Sequence, residues 1–438
     1  MYSTEIKRIL KKKKIKYGDK IKIKKSGLEL EGIILPKSAG DSNIILIKLS
    51  SGYNTGIKIN TENEIEKVES GKIKSLRPKV GSLKVDKQKP TISILGCGGT
   101  VASKVDYETG AVSPTFDPKD LVEMYPEIGE ITNIRFRSMF NTLSENMTFD
   151  HYKKIIKEIM KEIKKGVDGI IITHGTDTMH YTSAALALAL QNLPVAVILV
   201  GSQRSSDRGS SDAFLNLLGA VRFITETDFS GVAIAMHESM DDRAVLILPP
   251  CRTRKMHSSR RDAFKPIDAK AIARVDEEIK FFTEYQKKDK NRKLIVKDKF
   301  EKKVGLLKIH PNMDPKILDV YKSYRGLVLE GFGLGHAPVE DGNEAFFRKL
   351  KTLAKKTIVL MTTQTIFGEV NMNVYATGRK LQEIGVIPVS MLPEVAFIKL
   401  AWLLGNHPPS KVRELVTKDL CGEFRSWDTF RFLQTDKD

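Results

Sequence analysis

The chain has 438 residues, which predicts more than one domain, and its 41% hydrophobic and 29% charged residues are typical of a globular protein. No apolar run approaches the roughly 20 residues that a membrane-spanning helix needs, and no secretory signal pattern is visible. We therefore expect a soluble, cytoplasmic protein without a membrane association. Cys97, Cys251 and Cys421 are isolated from one another and odd in number, which predicts reduced thiols rather than a disulfide framework or a zinc site.

The net charge of +18 is concentrated near the N-terminus, because residues 1–90 contain 22 Lys and Arg but only 10 Asp and Glu. Clustered cations release counterions from phosphates, so contact with a polyanion such as RNA is one interpretation. The other is a solvated basic tail, and we favour it slightly, because no aromatic residue is interleaved with Lys11 to Lys14 to stack on exposed bases.

Residues 1–85 are predicted to form a small, basic β-barrel domain and its linker. From Ile21 to Glu69 apolar residues alternate at short intervals with turn residues between them, which indicates several short strands without helices. The segment from Lys72 to Pro90 is basic, contains Pro and Gly and has few apolar residues, so it is predicted to be the linker.

Two α/β domains are predicted to follow, at 86–290 and 303–438, joined by the charged interval 276–303. The larger domain has continuous apolar runs separated by helical stretches, a pattern typical of a parallel sheet covered on both faces. These runs include 92–95, 169–172, 195–200, 232–235 and 244–248. The smaller domain has strand candidates at 326–329 and 357–360 and a helix from Pro393 to about Leu404.

Three segments of the larger domain are candidate site segments, because ligands bind at the carboxyl ends of parallel strands. A glycine-rich turn ending in Thr100 follows the first strand, and Thr176 and Asp177 follow the second at the start of a helix. The third segment contains Lys255. Each signal alone is weak. Glycines in a turn often serve only the backbone conformation, a Thr-Asp pair often caps a helix, and most lysines face solvent.

Together, in this order, the three segments resemble the L-asparaginase family over about residues 91–405. In that family an aromatic residue follows the lysine by nine positions, as Phe264 follows Lys255 here. The resemblance implies that Thr100 is the primary nucleophile and that Thr176, Asp177 and Lys255 form a second catalytic cluster. It also implies an asparaginase-type fold, with a larger parallel-sheet domain and a smaller C-terminal domain.

Three further positions are implied to bind substrate by the same resemblance. The segment from Ser144 to Met147 is similar to the one whose serine holds the substrate carboxylate, and Tyr107 falls in the mobile loop where the family has a tyrosine. Glu145 stands where free asparaginases commonly have glutamine, and its carboxylate would bind the α-ammonium of the substrate.

The chemistry explains these residue types, because a threonine hydroxyl is a poor nucleophile until a base removes its proton. Lys255 beside Asp177 would be that base, and backbone N–H groups of the glycine turn would stabilise the oxyanion by about 3 kcal/mol per donor. The sequence does not decide whether Thr100 or Thr176 attacks in each step, although we favour Thr100 for acylation. This chemistry implies no metal or organic cofactor for the chain itself.

The leading basic domain and the segments 201–207 and 251–264 resemble, more narrowly, the GatD family of archaeal glutamyl-tRNA(Gln) amidotransferases. This resemblance implies hydrolysis of glutamine and transfer of ammonia to a GatE partner, which uses ATP and Mg²⁺ to convert Glu-tRNA(Gln) into Gln-tRNA(Gln). It further implies a homodimer within a heterotetramer. A free cytoplasmic asparaginase or glutaminase is the alternative.

Other functions receive less support from the residues. Cys97 lies on the first turn and suggests a cysteine-dependent glutaminase, but no paired His-x-Glu appears near the C-terminus, so a buried, inert cysteine is expected. His174 and His180 lack the third ligand of a zinc site, which favours ordinary core or surface histidines. A silent RNA-binding scaffold is disfavoured because all four catalytic positions are intact.

Overall fold

The computed structural model describes residues 2–25, 28–35, 41–49, 54–59, 64–70, 86–98, 104–105, 112–113, 127–204, 211–289 and 291–424. Its helices are α1 (Thr4–Lys12), α2 (Glu127–Ile131), α3 (Phe149–Lys164), α4 (Met179–Ala189), α5 (Ala213–Glu226), α6 (Glu344–Ala354), α7 (Ala376–Glu383), α8 (Pro393–Asn406) and α9 (Pro409–Leu415). In the described part of the chain, no helix is both long and apolar enough to cross a membrane.

The N-terminal unit is a five-stranded antiparallel sheet in the order β4-β3-β2-β1-β5. Its strands are β1 (Lys20–Lys25), β2 (Leu28–Ile34), β3 (Ile44–Leu49), β4 (Asn54–Lys58) and β5 (Glu64–Glu69). Alternate isoleucines such as Ile21, Ile23, Ile45 and Ile47 are buried on one face, as the period of two predicts. The sequence thus predicted the strand content of this unit correctly.

The basic N-terminus is not a free tail, which corrects the interpretation favoured from the sequence. The segment folds as α1, whose Ile6 and Leu10 join the buried core of the N-terminal sheet. The Ser3 side chain caps the helix by accepting a hydrogen bond from the Ile6 amide. Lys7, Lys11 and Lys12 of this helix are exposed, so these cations lie on the outer face of a docked helix.

The larger domain is built on an eight-stranded sheet in the order β18-β17-β14-β13-β12-β10-β6-β9. Those strands are β6 (Thr91–Gly96), β9 (Asn133–Ser138), β10 (Gly169–Thr173), β12 (Ala196–Val200), β13 (Gly231–His237), β14 (Val245–Leu248), β17 (Ala273–Val275) and β18 (Ile279–Phe281). Strands β9, β6, β10, β12 and β13 are neighbours in this sheet and run parallel, as predicted. Helix α5 covers one face of the sheet, and α3 and α4 cover the other.

The apolar run 244–248 was predicted to be a strand of the parallel sheet. It forms β14, but β14 pairs antiparallel with β13. Only the short segment 238–244 joins the two strands, and a parallel crossover needs a dozen or more residues. The remaining short strands are β7 (Lys104–Val105), β8 (Val112–Ser113), β11 (Leu190–Gln191), β15 (Thr253–Lys255), β16 (Phe264–Pro266) and β19 (Ile295–Val296). The charged interval 276–303, predicted as a connection, thus adds β18 and β19 before it reaches the smaller domain.

The smaller domain is a four-stranded parallel sheet formed by β20 (Val304–Lys308), β21 (Gly326–Gly331), β22 (Ile358–Thr363) and β23 (Ile387–Pro388). Its outer face packs against α6 and α7. On its inner face lies α8, which begins at Pro393 as predicted and is almost wholly buried against α4 of the larger domain. One continuous core therefore joins the two α/β domains.

Candidate active site

Three neighbouring parallel strands deliver three of the candidate segments to one edge of the larger sheet. In the strand register Gly96 at the end of β6 is paired with both Thr173 of β10 and Ser138 of β9. The glycine turn, the Thr176 segment and the Ser144 segment therefore leave the sheet side by side. The sequence predicted the ends of β6 and β10 as the site edge, and the structure places these two ends side by side. Strand β9, which leads to the Ser144 segment, was not predicted.

The glycine turn after β6 is fastened on both sides by backbone hydrogen bonds. The Cys97 amide donates to Thr173 O at 3.0 Å, and the Thr142 amide donates to Cys97 O at 3.3 Å. Gly98 has φ +88°, and a Cβ there would lie 2.7 Å from Thr142 N, so a side chain is excluded. Because the Cys97 amide is engaged by the sheet, it is not available to a bound oxyanion. Thr100 and Tyr107 lie outside the described residues.

Lys255 meets Thr176 and Asp177 at the centre of the site. Its Nζ donates to Thr176 Oγ1 and to Asp177 Oδ1, both at 2.8 Å. Thr176 is buried and the Lys255 side chain is 11% exposed, whereas the Asp177 side chain is 65% exposed. The amine thus lies between a buried hydroxyl and a carboxylate that faces the open side of the site.

The spacing from Lys255 to Phe264 has a structural cause. Strands β15 and β16 form a hairpin in which these two residues are direct cross-strand partners. Phe264 is fully buried in the core, so it anchors the strand from which Lys255 extends toward Thr176. An aromatic residue nine positions after the lysine therefore fixes the position of the amine.

Ser144 contacts the Thr176 segment directly. It is buried on a short 3-10 turn, and its carbonyl accepts a hydrogen bond from Thr178 Oγ1 at 2.7 Å. A Cβ on Gly175 would lie 2.7 Å from Ser144 Cβ, so glycine is needed for this close approach. Glu145 follows on the same turn and is exposed. The segment predicted to bind the substrate carboxylate thus adjoins the Thr176 cluster.

Three family models match successive parts of the chain. Residues 91–287 match the Asparaginase, N-terminal model, residues 303–415 the Glutaminase/Asparaginase C-terminal domain model, and residues 15–68 the GatD N-terminal domain model. The GatD subunit of the glutamyl-tRNA(Gln) amidotransferase of Methanococcus maripaludis is 44% identical over 419 residues, covering 93% of this chain and 97% of the relative. That of Pyrococcus furiosus is 44% identical over 432 residues, covering 95% and 97%.

The chain belongs to the GatD family of glutamyl-tRNA(Gln) amidotransferases. Among solved structures, the thermostable L-asparaginase from Thermococcus kodakarensis has a TM-score of 0.69 and 29% identity, over 77% of this chain and 99% of that one. The asparaginase-type fold expected from the three motifs is therefore confirmed.

The two histidines near the site of this GatD family member are core residues, as expected. His174 is fully buried, with Nδ1 2.7 Å from Gly175 O and Nε2 2.9 Å from Thr182 Oγ1. Burial lowers the pKa of His174 to about 4, against an opposing hydrogen bond to the Gly175 backbone. Burial, followed by the charges of Arg254 and Lys255, lowers the pKa of His180 to about 3. Both shifts favour the neutral ring at neutral pH, and the contact of His174 with Gly175 O holds the turn that precedes Thr176.

Cys97 is buried, and burial raises the pKa of its thiol far above the ordinary value. A raised pKa disfavours the thiolate that a cysteine nucleophile needs, and the predicted burial of Cys97 is confirmed. Within the described ranges, no group of three or more His, Cys, Asp and Glu residues is placed to hold a metal ion.

Asp212 supports a loop beside the site, and the sequence did not indicate this role. It is fully buried and accepts hydrogen bonds at 3.0 Å from the amides of Gln203 and Arg204, so it fixes the loop after β12. That loop begins at Gly201, where a Cβ would lie 2.9 Å from Thr176 Cγ2. An acidic residue immediately before the apolar helix α5 was the available signal.

Glu394 is a second missed residue, at the first turn of α8 in the smaller domain. Its buried Oε1 lies 3.4 Å from Arg254 Nε and 3.6 Å from His180 Nε2. The smaller domain thus places a carboxylate against the residue that precedes Lys255. The sequence predicted only a helix beginning at Pro393, and a glutamate in its first turn gave no reason to connect it with the site.

Proposed function

We propose that the chain is the glutaminase subunit of a glutamyl-tRNA(Gln) amidotransferase. It hydrolyses the side-chain amide of glutamine through a threonine nucleophile and supplies ammonia to its GatE partner. That partner uses ATP and Mg²⁺ to activate Glu-tRNA(Gln) and forms Gln-tRNA(Gln). The observation that carries the proposal is the contact of Lys255 Nζ with both Thr176 Oγ1 and Asp177 Oδ1 at 2.8 Å, in a chain of the GatD family.

We assign the acylation step to Thr100, on the strength of its position in the family motif. Its hydroxyl attacks the amide carbon of glutamine, and the resulting oxyanion collapses with release of ammonia and formation of an acyl-threonine ester. Ser144 and Glu145 hold the α-carboxylate and the α-ammonium of glutamine. Tyr107 closes over the nucleophile.

The cluster of Thr176, Asp177 and Lys255 is assigned to proton transfer. A lysine that has released its proton to solvent accepts the Thr176 hydroxyl proton, while Thr176 takes a proton from the attacking water. The Asp177 carboxylate offsets the positive charge that develops on Lys255, since it lies 2.8 Å from Nζ. Hydroxide then attacks the ester, the Lys255 ammonium returns its proton through Thr176 to the departing Thr100 oxygen, and glutamate leaves.

A free cytoplasmic asparaginase or glutaminase is the second candidate function. It is favoured by the similarity to the Thermococcus kodakarensis L-asparaginase, which covers 99% of that enzyme. The N-terminal unit of this chain matches the GatD N-terminal domain model at residues 15–68, whereas the asparaginase models begin at residue 91. This additional unit favours the amidotransferase subunit.

Ammonia release from glutamine and from asparagine tests the proposal, measured with the purified chain alone and with GatE, ATP, Mg²⁺ and Glu-tRNA(Gln). We expect little release from the chain alone and strong, glutamine-specific release in the complex. Rapid hydrolysis of asparagine by the chain alone would instead establish a free asparaginase. Thr100→Ala is expected to abolish both activities, and unchanged ammonia release in that variant would show that Thr100 is not the nucleophile. No release from the wild-type chain under either condition would support a silent scaffold.

We further propose a homodimer within a heterotetramer, acting in the cytoplasm where aminoacylated tRNA is found. Light scattering after gel filtration is expected to give a dimeric mass for the isolated chain. After addition of GatE, the mass should correspond to two copies of each of the two chains. A monomer under both conditions would contradict this assembly.

A further inference from the structure

Two cysteines that are far apart in the sequence meet in the structure. Cys251 lies just before β15, four residues ahead of Lys255, and Cys421 lies in the C-terminal segment after α9. Their Sγ atoms are 3.4 Å apart across a sequence separation of 170 residues. Both are free thiols. Their separation along the sequence gave no sign of this contact.

The backbone on each side of the pair is held in place. Next to Cys251, the Arg252 guanidinium donates from Nη1 to Phe424 O at 3.0 Å, which joins the β15 strand to the C-terminal segment. Next to Cys421, the Glu423 carboxylate accepts from the Cys421 amide at 2.7 Å and pairs with the fully buried Lys399 at 2.5 Å. The two sulfurs are thus presented to each other by ordered elements.

The pair lies beside a surface cavity. Cys421 is half-buried and lines this cavity of about 580 Å³ together with Pro250, Tyr285 and Gln286. Cys97, in contrast, is buried in the core beside the sheet. The pair therefore adjoins a surface cavity, whereas the third cysteine lies in the core.

We propose that Cys251 and Cys421 form a reversible disulfide that joins the C-terminal segment to the strand carrying Lys255. The oxidant is a low-molecular-weight disulfide such as glutathione disulfide. The Cys421 thiolate attacks one of its sulfurs, the S–S bond breaks, and one glutathione thiolate leaves. The Cys251 thiolate then attacks Cys421 Sγ and releases the second glutathione. The two cysteines lose two electrons and two protons, and these reduce the oxidant to two thiols.

Bond formation requires a small movement, because the sulfurs must approach from 3.4 Å to about 2.05 Å. The product closes a ring of about 170 residues that spans the larger domain and the C-terminal segment. A ring of this size strongly restricts the unfolded chain, so we expect the midpoint of thermal unfolding to rise by about 5–8 °C. The link also prevents the C-terminal segment from separating from the β15 strand.

The test uses the full chain incubated with glutathione disulfide. The contact with Cys251, burial and nearby Glu423 raise the pKa of Cys421, so its thiolate is a minor species even at a pH of about 9, and the incubation at this pH is followed over several days. We expect thiols titrated after denaturation to fall from the three of the sequence to one, with a mass loss of about 2 Da. Peptide mapping should give a 251–421 link that dithiothreitol removes.

Single substitutions provide matched controls. Cys251→Ser is expected to retain glutathione on Cys421 as a stable mixed disulfide, and Cys421→Ser is expected to keep its two remaining thiols and show no thermal shift. Three titratable thiols in the treated wild-type chain, or a persistent mixed disulfide or intermolecular dimer without the 251–421 link, would overturn the proposal. The wild-type peptide map decides this even if one variant fails to fold.

Discussion

Replacing Lys255 with methionine tests the central contact of the proposed mechanism. The substitution keeps much of the length and the apolar stem of the side chain but removes the amine, and with it both hydrogen bonds of 2.8 Å. Phe264 remains as the cross-strand anchor, so the β15 hairpin is expected to persist. The change therefore separates proton transfer from the positioning of the strand.

The expected loss follows from the role of the amine. A positioned general base contributes about 10² to 10⁴ in rate, or roughly 3–5 kcal/mol of transition-state stabilisation. The cost in stability is much smaller, because the partner carboxylate of Asp177 is 65% exposed and only the Thr176 hydroxyl loses a buried partner. We expect this cost to be about 1 kcal/mol.

The assay compares two sources of nitrogen for Gln-tRNA(Gln) formation by the complex with GatE. With glutamine, Lys255→Met is expected to lower kcat by at least about 100-fold. With ammonium chloride, the rate should match that of the wild-type complex, because the glutaminase site is bypassed. Lys270→Met, which removes an exposed lysine from the following loop, is the matched control and should be unchanged with either source.

Two results would refute the reasoning. A glutamine-dependent rate within about tenfold of wild type would show that the Lys255 amine is not the base. An equal loss with glutamine and with ammonium chloride would show that the substitution disrupts the complex rather than the site.

Three further predictions address the surroundings of the site. Gly175→Ala places a methyl group 2.7 Å from Ser144 Cβ and should raise KM for glutamine at least about tenfold, measured by steady-state kinetics, while ammonia-dependent synthesis is unaffected. His174 has a folded pKa of about 4 against 6.5 unfolded, so the unfolded state binds the extra proton between these values. Its contribution to stability is complete above pH 6.5 and is lost by roughly 1.4 kcal/mol per pH unit as pH falls to 4, a slope that His174→Asn should reduce in denaturant titrations. Lys399→Met leaves the fully buried Glu423 unpaired and should cost about 3–5 kcal/mol of unfolding free energy, and a loss below about 1 kcal/mol would contradict this.

The site residues at the ends of strands could be predicted from the sequence, because their signals are local patterns. Buried strands appear as continuous apolar runs, and the polar residues at their ends are the candidates for a site. Thr176, Asp177 and Lys255 were predicted in this way together with the family resemblance, and the structure brings them together. Thr100 and Tyr107, which lie outside the described residues, stay predictions.

The contacts that hold the site residues in position could not be predicted from local patterns. Asp212 and Glu394 stand before or within the first turn of a helix, where an acidic residue ordinarily stabilises the helix N-terminus, so neither signalled a role at the site. Only the packing of α8 against α4 brings Glu394 within 3.4 Å of Arg254. The close approach of Gly175 to Ser144 likewise depends on how two loops leave the same sheet edge.

The sequence by itself determined the family, the two α/β units, the strand-rich basic N-terminal unit and the position of the helix that begins at Pro393. These features depend on burial periodicity and motif spacing, which are local properties of the chain. The antiparallel direction of β14, the docking of α1 and the meeting of Cys251 with Cys421 were decided only by the tertiary structure. A local pattern indicates that a side chain is buried, but the residue against which it packs is fixed by the arrangement of the whole chain.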